Sequence, residues 1–93
     1  MSTISELEAV LRQRDADRPA GSYTATLLAD RERLQRKIME EAFETCLELG
    51  RAEVDDARVV SEAADLLYHL IVGLVACGLS LDDVIAELGR RRT

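Results

Sequence analysis

Apolar residues recur every three or four positions along most of this chain and nowhere alternate strictly. That is the period of an α-helix, so helices are predicted throughout and strands nowhere. Leu7, Val10 and Leu11 form a first, narrow stripe. Ser5 and Glu8 precede it as an S-x-x-E capping box, which predicts a helix from Ser5 to about Arg14. The stretch Asp15 to Gly21 holds Pro19 and predicts a loop. Ser22, Tyr23 and Thr24 then lead a short apolar segment, Leu27-Leu28-Ala29, which their hydroxyls can cap. Asp30 and Gly50 bound a long helix as N-cap and stop. Within it Leu34, Ile38, Ala42, Thr45 and Leu49 make one stripe, and Met39, Phe43, Cys46 and Leu47 widen it. A face that broad predicts two neighbours, one within the subunit and one across a dimer. Asp55 or Asp56 caps the next helix, about Ala57 to Cys77, which stops at Gly78. From Ala63 onward that helix is apolar nearly all round, the pattern of a bundle's buried centre. Ser80 caps a last helix with Asp82 and Asp83 in its first turn and Val84, Ile85 and Leu88 on its apolar face. The predicted fold class is all-α: a four-helix bundle with an additional short helix, completed by homodimerisation, in one domain over residues 1–93.

Charge and composition narrow the partners. A net charge of −6 opposes a broad phosphate-backbone binder, and 3% aromatic residues with no Trp leave no stacking platform, so nucleic acid is not expected. The N-terminus has neither the basic region nor the apolar core of a signal peptide. The run Ala63 to Leu79 is at the short edge for a bilayer span and carries Asp65 and His69, which are costly in lipid. A cytoplasmic protein without membrane contact is expected, with Cys46 and Cys77 as small buried thiols in a reducing compartment.

The chemistry-bearing pattern is acidic. Glu41 and Glu44 share one helix face, as do Glu62 and Asp65 on the next helix, and Glu40 flanks the first pair. If the two helices pack side by side, these carboxylates converge and repel unless a cation lies between them. All-oxygen ligation suits Mg²⁺, with Mn²⁺ as a substitute. The strip Lys37, Glu40, Glu41, Glu44 and Glu48 taken alone also reads as a solvated face. The acids on the second helix argue otherwise, because they lie at or within an apolar run with no Lys or Arg between Val59 and Leu88. A carboxylate-held Mg²⁺ can neutralise phosphate oxygens and activate a bound water. By face, Glu41, Glu44, Glu62 and Asp65 are the expected metal ligands. Glu40 is expected to hold a second ion or orient the attacking water, and Lys37 to contact a phosphate. Ser22 and Tyr23 are candidates for substrate binding beside their capping role. His69, one turn beyond Asp65, is expected to hydrogen-bond back to Asp65 and orient its carboxylate. The tail Arg90-Arg91-Arg92 complements a helix C-terminus or meets a phosphate. A di-iron bundle would need Glu-x-x-His pairs, and the single His is not at that spacing.

Glu40-Glu41-Ala42-Phe43-Glu44 followed by Glu62-Ala63-Ala64-Asp65 resembles the acid motif of the all-α, MazG-like nucleotide pyrophosphohydrolases. Gly21-Ser22-Tyr23-Thr24-Ala25, Glu62 to Leu70 (EAADLLYHL) and Gly78-Leu79-Ser80-Leu81-Asp82-Asp83-Val84 narrow the resemblance to the phosphoribosyl-ATP pyrophosphatases, over almost the whole chain. The resemblance implies Mg²⁺-dependent cleavage of the α–β phosphoanhydride of 1-(5-phosphoribosyl)-ATP, the second step of histidine biosynthesis, by a homodimer. It implies metal positions at Glu41, Glu44, Glu62 and Asp65, with Glu40 as the motif's remaining acid. Members often fuse this domain to the next enzyme; at 93 residues the free-standing form is expected. Met39 and Phe43 depart from the family's smaller residues. They either repack a core or dimer interface together or reshape the pocket for another nucleotide. Two alternatives therefore stay open: a house-cleaning hydrolase of a different nucleoside triphosphate, and a non-catalytic helical dimer.

Overall fold

The computed structural model describes residues 3–92, in five helices: α1 (Thr3–Asp17), α2 (Tyr23–Ala29), α3 (Arg31–Leu49), α4 (Asp56–Ala76) and α5 (Leu81–Arg90). No strand occurs among the described residues, so the all-α prediction holds. Four of the five helix starts are where the capping residues placed them. Ser22, Asp30, Asp55 and Ser80 each accept a backbone N–H three residues on, and Asp83 returns the bond to Ser80 in a full capping box. Each such cap satisfies a donor that the helix cannot.

The first start differs. α1 begins at Thr3, two residues ahead of Ser5, and runs past Arg14 to Asp17. Glu8 does not close a local capping box. Its buried carboxylate reaches across the fold, and Oε2 accepts the N–H of Leu81 at 3.0 Å. Arg12 approaches the same oxygen at 3.7 Å. Glu8 thus caps the first turn of α5 in place of its own helix, because the packed helices offer a buried orphan donor that a local turn does not. Glu8→Ala is expected to cost about 1–3 kcal/mol in urea unfolding, the worth of a buried charged acceptor whose donor is left unpaired.

A core of Leu11, Leu27, Leu28, Leu34, Ile71, Val72 and Val75 joins α1 to α4. α2 packs on α1, α3 and α4, and the largest interface is between α3 and α4. These two are antiparallel. At one end a side chain at Gly73 would meet Leu34 and Ile38 at 3.7 and 3.8 Å. In the middle Glu41 meets Glu62 and Asp65, and at the far end the charge of Arg58 acts on Glu48. The turn after α4 is made by Gly78, whose φ of +75° is the left-handed conformation that glycine adopts without strain; it closes with Leu79 N–H on the Leu74 carbonyl at 2.8 Å. Gly50 ends α3 at an ordinary φ of −90°.

Two burial expectations fail for the same reason. α4 is not enclosed on all sides: Val60, Leu67 and Leu70 are exposed, and Asp65 with them. Cys46 and Cys77 are exposed rather than buried. Five helices in one small chain cover only one side of α4 and one seam of α3, whereas the sequence carries apolar residues on both sides. By length and composition α4 is apolar enough to cross a bilayer, but it bears Glu62, Asp65 and His69 in consecutive turns.

Candidate metal centre

The contact seam of α3 is Leu34, Ile38, Glu41, Thr45 and Glu48, spaced by alternating fours and threes as in helices that pack side by side. Leu34, Glu41, Thr45 and Glu48 are buried on it. The facing seam of α4 runs from Glu62 and Asp65, beside Glu41, to Gly73, beside Leu34 and Ile38. Both seams are apolar at one end and polar at the other. The strip of glutamates on α3 is therefore only partly a solvated face: Glu40 and Glu44 are exposed, but Glu41 and Glu48 are buried. The outward stripe is the apolar one, Met39, Phe43 and Leu47, on the opposite side of the helix from Glu41.

At the polar end Glu41, Glu62 and Asp65 each offer a carboxylate oxygen within 4.8 Å of the others. Glu41 is buried, Glu62 half-buried and Asp65 exposed, so the group opens to solvent on one side. Glu44, exposed and one turn on from Glu41, is close enough for its charge to raise both Glu41 and Glu62, but it is not among the three whose oxygens gather. Burial first, then the charges of Glu44 and Asp65, push the Glu41 carboxyl above its ordinary value. The close approach of Glu44 raises Glu62 most, with burial and the charges of Glu44, Glu41 and Asp65 adding to it. Glu41 Oε2 and Glu62 Oε2 are buried without any hydrogen-bond partner. Two orphaned carboxylate oxygens turned into a cluster of like charge fit a hard, oxygen-seeking cation, and the donor set is all oxygen.

Glu40 lies outside this group. It pairs with Lys37 at 3.2 Å, and that bond, with the charge of Glu40, holds the Lys37 ammonium above its ordinary value. Tyr23 also favours the charged Lys37, so the start of α2 and the middle of α3 adjoin. Ser22 Oγ is engaged as the cap of α2, accepting from Ala25 N–H at 3.2 Å. Glu48, buried at the end of the seam, is held by Arg51 through bonds of 2.9 and 3.1 Å, which take its carboxyl below the ordinary range. In the tail, Arg90 and Arg91 both pair with Glu87.

His69 is buried as expected but does not meet the Asp65 carboxylate. Its Nδ1 lies 2.8 Å from the backbone carbonyl of Asp65, one turn back, and its Nε2 lies 2.8 Å from the Tyr23 hydroxyl. Helical geometry places the i−4 carbonyl within reach of the ring, while the Asp65 carboxylate lies with those of Glu41 and Glu62. Beside this contact, the hydroxyls of Thr24 and Tyr68 are hydrogen-bonded to each other. The role of Tyr68 is not visible in the periodicity, which says which face a residue occupies and not which residue of another helix it meets. The signal available was the pair Tyr68-His69, two polar-tipped residues together in an apolar run.

An all-α chain that gathers carboxylates on the facing seams of two antiparallel helices has the form of a helical nucleotide pyrophosphohydrolase. Residues 4–92 match the family model of phosphoribosyl-ATP pyrophosphohydrolase, and the chain belongs to that family. It is 46% identical over 92 residues to the phosphoribosyl-ATP pyrophosphatase of Cereibacter sphaeroides, covering 98% of this chain and 87% of that one. It is 42% identical to the enzyme of the same name from Methylobacterium nodulans, covering 98% and 84%. The histidine biosynthesis bifunctional protein HisIE of Xylella fastidiosa is 45% identical over 89 residues, 95% of this chain and 42% of that longer protein.

Proposed function

We propose that this chain hydrolyses the α–β phosphoanhydride of 1-(5-phosphoribosyl)-ATP to phosphoribosyl-AMP and pyrophosphate, in histidine biosynthesis, as a Mg²⁺-dependent cytoplasmic homodimer. The observation that carries the reading is the meeting of Glu41, Glu62 and Asp65 within 4.8 Å, with two of their oxygens buried and unpartnered. Family membership and the shared name of its relatives supply the substrate.

Glu41, Glu44, Glu62 and Asp65 would hold Mg²⁺, or Mn²⁺ in its place. When bound, the ion supplies charge neutralisation for the phosphate oxygens and a lowered pKa for water. The chain's own residues do the rest by position. Helices α3 and α4 hold the carboxylates on their facing sides, so little reorganisation would be needed when charge develops. Glu40, exposed and next to Glu41 in sequence but outside the group, would orient the attacking water and accept its proton. Lys37, one turn earlier, restrains Glu40 and offers its ammonium to a phosphate oxygen. Tyr23, whose hydroxyl meets His69, and Ser22, the cap of α2, would contact the substrate from the start of α2. Hydrolysis adds water across the anhydride, hydroxide to one phosphorus and a proton to the departing phosphate.

Met39 and Phe43 bear on the alternative substrate. Both are exposed and face away from the carboxylates, which favours repacking of a subunit interface over reshaping of the chain's own pocket. Pyrophosphate release with Mg²⁺ should be fastest by far with phosphoribosyl-ATP, against ATP, dUTP and dCTP. Preference for one of the other three would replace the biosynthetic reading with a house-cleaning one, and release from none by the folded, metal-loaded protein would leave a non-catalytic dimer.

A further inference from the structure

His69 is held on three sides. Its ring stands edge-on to Tyr23, with centroids 5.8 Å apart at 87°, and to Tyr68, 5.2 Å apart at 83°. Its two nitrogens bridge the Asp65 carbonyl and the Tyr23 hydroxyl. A carbonyl only accepts, so Nδ1–H donates to Asp65, and in the neutral ring Nε2 accepts the O–H of Tyr23. The Tyr23 hydroxyl proton is then directed at His69. The adjacent bond between Thr24 and Tyr68 repeats the link one residue along both helices. These two contacts tie the first turn of α2, where Ser22 caps and Tyr23 nears Lys37, to the turn of α4 that begins at Asp65.

We propose that Tyr23 and His69 are a positioning pair, which sets the start of α2 against the carboxylate turn of α4 so that substrate and metal groups are held in one geometry. The inference rests on the hydrolase reading of this site and adds to it how the α2 side is placed. His69 acts through Tyr23, not by touching a carboxylate. α2 is only seven residues long, too short to be ordered by its own hydrogen bonds, so its register depends on such links.

The two halves of the imidazole can be separated. Asparagine at position 69 can reach the Asp65 carbonyl but not Tyr23, whereas glutamine extends to the Tyr23 hydroxyl. Tyr23→Phe and His69→Asn are each expected to lower kcat on phosphoribosyl-ATP about tenfold, the scale of one buried hydrogen bond. Joining them should add nothing, since both break the same contact. His69→Gln should recover most of the loss. Hydrogen exchange of the α2 amides should quicken about tenfold in Tyr23→Phe and His69→Asn, with the α3–α4 amides unchanged. Wild-type kcat and wild-type α2 exchange in His69→Asn, or losses that simply add in the double variant, would overturn the pairing. An inactive wild type whose α2 still loosens in the variants would overturn the hydrolase reading and uphold the link.

Discussion

Replacing Glu41 by Gln, or Asp65 by Asn, is expected to lower kcat by roughly two to three orders of magnitude while the protein stays folded. Either change removes a charged oxygen from the group that Glu41, Glu62 and Asp65 form within 4.8 Å, and the remaining acids cannot regather the lost ligand from another helix. Stability should move the other way in the metal-free protein. Glu41 is buried, and its carboxyl is raised above the ordinary 4.5 by burial and by the charges of Glu44 and Asp65. A carboxyl raised on folding weakens the fold wherever it is ionised. The penalty is full above its folded-state pKa and fades as pH falls through that value toward 4.5. Glu41→Gln should therefore melt higher than wild type in EDTA at neutral pH, with the gap closing under acid. Added Mg²⁺ should stabilise the wild type and do much less for the variant. Undiminished turnover in Glu41→Gln, or a melting gap that widens under acid, would remove this cluster as the metal centre.

Charging the outward stripe should separate the subunits of the proposed homodimer. Phe43 is 64% exposed, Met39 63% and Leu47 51%, one above another on α3, and Val60, Leu67 and Leu70 are open on α4. So many large apolar residues on so small a chain leave an unstable surface for a monomer. Phe43→Lys is expected to shift the protein from dimer to monomer at micromolar concentration in analytical ultracentrifugation, because a Lys centred in an apolar interface is desolvated without a partner. The melting temperature should fall with it, and its dependence on protein concentration should vanish. A wild type that sediments as a monomer, or a Phe43→Lys variant that remains a dimer, would mean that this stripe has another use.

Helix number, the order of the segments and four of the five starts were legible in the chain, because a cap is a local event: Ser22, Asp30, Asp55 and Ser80 each bond a backbone N–H three residues away. The acidic motif was legible too, since spacings of three and four put Glu41 with Glu44 and Glu62 with Asp65 before any helix is packed. What the sequence could not decide was direction. Periodicity finds an apolar stripe but not whether it meets its own chain, and here Leu34, Ile38 and Thr45 turn in with Glu41 and Glu48 while Met39, Phe43, Cys46 and Leu47 turn outward. It read Glu8 as a local cap, where the tertiary fold sends that carboxylate 73 residues along the chain to Leu81. It paired His69 with the Asp65 carboxylate, where helix geometry offers the carbonyl and the packing of α2 offers Tyr23. Local hydrogen bonds and residue spacing are properties of the chain; which buried donor meets which acceptor is set only when the helices dock, because that choice is made by the surfaces they cover together.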